Sequence, residues 1–152
     1  VQLYAGKVDI KSEVKCIREE PWGTGEPGDT PFFAKRPDSA LNQLIKDRLA
    51  KAKKLLNEHG KEFYEPYAKS LCSDFRDLLE RMIEVELMGD IVQRYRREVH
   101  TKKIACLAKI SEADCKYFDD LMTKYSRYVH PQPIEAPVRL PEPDELKLTL
   151  MR

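Results

Sequence analysis

Long apolar runs, paired cysteines and clustered histidines are all missing from this sequence. No stretch is long and apolar enough to span a membrane as a helix, and no apolar leader opens the chain, so secretion and membrane insertion gain no support. Four cysteines (Cys16, Cys72, Cys106 and Cys115) include no C-x-x-C pair, which leaves reduced thiols of a cytoplasmic protein as the expectation. His59, His100 and His130 stand at no ligand spacing from a cysteine pair, so no metal site is expected. No G-x-x-x-x-G-K-[ST] occurs, nor an aspartate-glutamate pair closing a run of strand residues. Without a backbone cradle and its lysine, this chain has no seat for nucleoside phosphates. The formal net charge of +1 excludes a polyanion binder that uses its whole surface. Any such contact must be a local patch.

What is present is charge in balance and helical periodicity. At 152 residues the chain fits one domain with a real core, and 35% charged residues suits amphipathic helices with solvated outer faces. The longest pattern begins at Lys61, where Phe63, Tyr67, Ala68, Leu71, Phe75, Leu78, Leu79, Met82 and Ile83 recur at three- and four-residue steps. It predicts a helix to about Leu87, tolerant of Pro66 near its start. Before it, Asp38 or Ser39 can cap a helix with Leu41, Leu44, Ile45, Leu49, Ala52, Leu55 and Leu56 on one face and Gly60 as its stop. The two should form an antiparallel pair. The first carries Lys46, Arg48, Lys51, Lys53 and Lys54 on its other face, a run that reads as solvated surface. His59 falls at its C-terminal end, where the helix dipole favours a cation.

Beyond Gly89, a short helix is expected over Asp90 to Val99, burying Ile91, Val92, Tyr95 and Val99. Residues 104–110 are apolar enough for a buried helical turn or a strand, and periodicity does not decide between them. Ser111 and Asp114 form a capping box for a further helix with Phe118, Leu121, Met122 and Tyr125 on its core face. At the N-terminus, residues 1–19 carry two partly alternating runs that read as a short strand element completing a sheet of a larger protein. Residues 20–38 read as a Pro/Gly-rich loop anchored by Trp22, Phe32 and Phe33. Its G-x-G-x-x-G at Gly23–Gly28 lacks the strand before and helix after that a dinucleotide site needs. Residues 39–128 make the helical domain. Residues 129–152, with five prolines, read as an extended tail followed by a truncated segment opened by Asp144. The fold class expected is mainly α, a helical bundle with a short N-terminal β element, cut from something longer.

Two groups of residues could carry chemistry. Arg94, Arg96, Arg97, Lys102 and Lys103, with Tyr95 and His100 interleaved, place five cations in ten residues and suit phosphate contact with base stacking. Arg94 and Glu98, with His130 or His100, supply an arginine, a carboxylate and an imidazole, the groups that ribonuclease chemistry uses to move the ribose 2′-hydroxyl proton and stabilise the phosphorane. An arginine and a glutamate four residues apart are equally an ordinary helix ion pair. A purely architectural role would explain nearly every apolar position.

Leu87–Arg97, Met122–Tyr128 and Leu140–Leu146 together resemble the C-terminal helical region of large bacterial ABC-type ATPases, the SMC-like AAA proteins grouped with PrrC- and RecN-type enzymes, many linked to phage defence or DNA repair. The likeness runs from about Trp22 to the end. It implies a non-catalytic part of an ATP-driven machine, with ATP and magnesium in the parent and no cofactor in this chain. The partners implied are the rest of the ATPase, DNA or RNA, and a second copy. The arginine-glutamate-histidine set resembles the one attributed to PrrC-type anticodon nucleases, which makes a separate RNA-cleaving or nucleic-acid-binding module the alternative.

Overall fold

The computed structural model describes residues 15–20, 23–30, 32, 35–93, 97–129 and 138–151. It is mainly helical, with a short strand pair, and divides into units of residues 1–35 and 36–152.

In the first unit, β1 (Lys15–Glu20) pairs antiparallel with β2 (Gly23–Asp29), Lys15 opposite Asp29, and the register shifts between Arg18 and Glu19. The glycine-rich stretch expected to be a loop is therefore a strand over Gly23–Asp29. Its glycines lie in a strand paired to β1 instead of preceding a helix. The alternating runs at 1–4 and 8–14, Trp22 and Phe33 lie outside the described residues. Ile17 of this pair is uncovered, at 80% exposed.

The second unit opens with α1 (Pro37–Gln43), a π-type stretch Leu44–Leu49 and α2 (Ala50–His59), continuous in the chain. Proline at the first helical position pre-sets φ and lacks only an N–H that would be unpaired there anyway, so the helix starts at Pro37 with Arg36 as N-cap, not at the expected Asp38 or Ser39. Gly60 (φ 78°, ψ −172°) adopts a backbone conformation that side chains resist. The chain reverses there into α3 (Lys61–Met82), which ends in a π-type turn, Ile83–Leu87. Pro66 lies inside α3, one turn further in than expected. After a turn region and a nine-residue 3-10 segment at Thr101–Lys109 come α4 (Glu112–Val129) and α5 (Pro143–Leu150).

The core is the α3 stripe Tyr64, Ala68, Leu71, Cys72, Phe75, Leu78 and Leu79, covered by Ala40, Leu44, Leu49 and Ala52 from the first helical run, Tyr125 and Tyr128 from α4, and Leu146 and Leu150 from α5. Phe75 meets Tyr125 edge to face, centroids 4.7 Å apart, the geometry that ring quadrupoles prefer. Phe63, expected in the core, is 60% exposed and lies against His59; Tyr64 is buried in its place. The Tyr64 hydroxyl donates to the Pro141 carbonyl, which ties the segment before α5 to α3.

Over Pro143–Leu150 the segment expected to open at Asp144 is helix α5, which begins at Pro143 and is part of the bundle. Lys53 of α2 reaches Asp144 at 3.0 Å, and Lys124 of α4 reaches Glu145 at 3.1 Å, so charged pairs flank the buried Leu146 on both sides. The capping box forms as expected: the Ser111 N–H donates to an Asp114 carboxylate oxygen at 2.9 Å, and the Asp114 N–H to Ser111 Oγ at 3.2 Å.

Leu146→Ala should cost about 2–5 kcal/mol in chemical denaturation, because a fully buried leucine leaves a cavity. Leu148→Ala, on the exposed face of the same short helix, should stay within about 0.5 kcal/mol of the parent. Equal effects would mean that α5 is not core. The Ser111 hydrogen bonds hold the Asp114 carboxyl below its ordinary value, so the cap stabilises at neutral pH, and that stabilisation fades as acid carries the pH through the folded-state value. In thermal melts the parent should exceed Asp114→Asn at neutral pH, and the gap should close in acid.

Candidate functional site: a lysine-lined cavity beside an exposed apolar ridge

The chain after α3 is bent out of helix by two consecutive residues at φ 59°, Gly89 and Asp90. The Met88 N–H donates to the Ile83 carbonyl at 2.8 Å and the Asp90 N–H to the Glu84 carbonyl at 2.9 Å, which closes the end of α3. None of the described residues of the helix expected at Asp90–Val99 is helical. Val92 and Val99 pair in an isolated antiparallel bridge, and the His100 N–H donates to the Ile91 carbonyl at 2.8 Å. Among the described residues of the expected buried stripe Ile91 is covered, while Val92 and Val99 are 45% and 53% exposed.

That turn decides the fate of the sequence candidates. Arg97 and Glu98 are exposed, on bent backbone instead of a helix face, and His100 is half-buried. Arg94, Tyr95, Arg96 and His130 lie outside the described residues, so the nuclease set is represented here by Glu98 and His100 alone. Lys102 and Lys103 do come together, and Lys109, which the sequence reading passed over, joins them. With Gly89, Ala105 and Cys106 they line an open cavity of about 440 Å³, and none of these described lining residues is a carboxylate. Lys103 Nζ donates to the Gly89 carbonyl at 3.0 Å, and Cys106 Sγ to the Met88 carbonyl at 3.6 Å. The fit is close: a Cβ on Gly89 would stand 2.8 Å from Cys106 Sγ, so this position accepts only glycine without a shift. The spacing Lys103, Cys106, Lys109 was the available signal, a period of three that belongs to a 3-10 segment.

The lysine run on the first helices is different. Arg48 pairs with Asp74 and donates to Ser70 Oγ at 3.1 Å, and both Arg48 and Lys51 lie over the Tyr67 ring. Lys53 holds Asp144, and Lys54 is 3.9 Å from Glu58. Arg48, Lys51 and Lys53 of this face join it to other helices. Arg76 does the same, with Glu80 at 2.9 Å and Ser126 Oγ at 3.2 Å.

Other hollows are electrically mixed. One of about 370 Å³ has Lys61 and Arg139 against Glu65 and Glu142, with Arg139 and Glu142 joined at 2.9 Å. Another of about 610 Å³, between α4 and α5, is apolar around the Lys124–Glu145 pair.

Inside the bundle, Tyr64, Cys72, Tyr125 and Tyr128 are all held neutral by burial. Burial pushes the Cys72 thiol up to about 12, with Lys124 opposing, and the Tyr125 phenol up to about 12. Tyr64 and Tyr128 are raised for the same reason. A thiol in that state is not a nucleophile at neutral pH. All four cysteines are unpaired, and no three His, Cys, Asp or Glu side chains gather as a metal site among the described residues.

Alkylation of the native protein at mildly alkaline pH, read by mass spectrometry, should mark exposed Cys115 first and spare Cys72 until denaturant is added. Early labelling of Cys72 would mean the α3–α4 contact opens.

No model of a known protein family matches this chain, no curated protein matches it, and no solved structure matches it.

Proposed function

We propose that this chain is a non-catalytic helical module of a larger SMC-like ATPase, acting in the cytoplasm in phage defence or DNA maintenance, and that it presents a basic corner to an anionic partner. The parent class rests on the resemblance of Leu87–Arg97, Met122–Tyr128 and Leu140–Leu146 to that region of such ATPases. ATP and magnesium belong to the parent's nucleotide site. In this reading the bundle is architecture, and the corner is its point of contact.

The observation that carries the corner is the contrast between two sets of cations. Arg48, Lys51, Lys53 and Lys54 of the first helices are engaged by Asp74, the Tyr67 ring, Asp144 and Glu58, whereas Lys102, Lys103 and Lys109 line one cavity whose described lining residues include no carboxylate. Clustered ammonium groups without an internal counter-charge favour an external anion. Arg97, exposed just before them in the chain, adds to the same charge.

On a heparin column, Lys102→Ala/Lys103→Ala/Lys109→Ala should elute at lower salt than the parent. The dependence of log K on log salt should fall by up to about three, near one per lost phosphate-like contact. The control Lys46→Ala/Lys51→Ala/Lys54→Ala should elute close to the parent. The proposal fails if the two triple variants behave alike.

A further inference from the structure

We propose that Thr101–Lys109 is a docking site for an acidic amphipathic helix of a protein partner, whose carboxylates enter the lysine-lined cavity while its aliphatic side chains cover Ile104 and Leu107. This rests on reading the corner as a surface for an anionic partner, and it names which kind.

The argument starts from the segment's period. A 3-10 segment has three residues per turn, so side chains three apart stack in ridges. Here one ridge is Thr101, Ile104 and Leu107, a second is Lys102, Ala105 and Ala108, and the third is Lys103, Cys106 and Lys109. The second and third ridges supply five of the cavity's six described lining residues. None of the nine residues is buried, and the first ridge carries the large apolar side chains among them: Ile104 is 51% exposed and Leu107 39%. Such an arrangement gains little from packing within its own chain. Most 3-10 runs stop after three or four residues, so nine in succession need a reason.

Charge and apolar area then select the occupant. The nine residues hold three lysines and no carboxylate. Lys103 gives one N–H to the Gly89 carbonyl, which leaves its other donors for a guest. Phosphates of a nucleic acid would use these lysines, but they gain nothing from an isoleucine and a leucine, and the segment offers no aromatic face on which bases could stack. A helix carrying leucine and glutamate at three- and four-residue steps uses both features. Its apolar stripe lies on the ridge, its carboxylates meet the ammonium groups, and the contact has the apolar centre and charged rim of ordinary protein interfaces.

The test uses the full chain and fluorescence anisotropy with four probes: a designed helical peptide with leucine and glutamate on one face, its lysine-for-glutamate counterpart, a single-stranded oligonucleotide, and phosphatidylserine vesicles. The acidic peptide should bind, and both Ile104→Ser/Leu107→Ser and Lys102→Ala/Lys109→Ala should weaken it by roughly tenfold. Because these side chains are exposed, the variants should melt like the parent. Lys102→Glu/Lys109→Glu should exchange preferences and take the lysine peptide, a rescue that misfolding cannot imitate. If the oligonucleotide or the vesicles bind through the lysines with no response to Ile104 and Leu107, the inference is overturned while the basic-corner reading stands. The same holds if the acidic peptide fails to bind but heparin retention still depends on the lysines. If retention is also indifferent to the lysines, both fall.

Discussion

The apolar stripe of α3 is the constraint from which the rest of the second unit follows. Tyr64, Leu71, Cys72, Phe75, Leu78 and Leu79 present more surface than one neighbouring helix can cover. The first helical run takes one flank of it through Leu44, Leu49 and Ala52, and α4 takes another through Tyr125 and Tyr128. α5 closes the remainder with Leu146 and Leu150. Phe75 against Tyr125 is the central contact, two rings set at 85°. Losing either would remove a large side chain from a site whose neighbours are themselves immobilised, so little collapse could compensate.

Around this core the charged groups divide by duty. Arg48, Lys53, Arg76 and Lys124 each join one helical element to another through a carboxylate or hydroxyl. Individually such partly exposed pairs contribute little to stability. Their effect is on register: each is satisfied in one relative placement of the helices. The same accounting shows why a high lysine content on the first helix is compatible with a purely structural role.

What could be read from the sequence follows the strength of each local signal. The α2–α3 pair was legible because apolar residues recur at helical steps on both sides of a glycine, and the Ser111–Asp114 box because its two hydrogen bonds are local. The error at Phe63 arose because the stripe begins one residue later, and near a helix start there are too few turns to fix its phase. The start of α5 was legible at Asp144 but its place in the bundle was not, because the prolines before it argue for an extended path, although Pro143 initiates the helix. β2 was hidden because glycine and proline argue for a loop, while strand pairing depends on the partner chain and not on composition alone. Of the site, Lys102 and Lys103 were legible as charge density; Lys109, Ile104 and Leu107 were not, since a period of three is rare enough to escape a search for helices and strands.

The position of the basic segment depends on the double left-handed turn at Gly89 and Asp90. Had α3 continued in register, the residues after Leu87 would have remained on its cylinder, and the apolar ones would have competed for the same core. The turn instead ends the helix with its last carbonyls already accepting hydrogen bonds, and Cys106 closes against the bare Gly89 backbone. Glycine there serves two ends, the positive φ and the close approach of sulfur. Thr101–Lys109 is thereby held against the end of α3 by backbone and small side chains, without spending its isoleucine, its leucine or most of its ammonium donors. A segment fixed by its backbone and idle in its side chains is already ordered before anything binds, so a partner would not have to supply that ordering free energy.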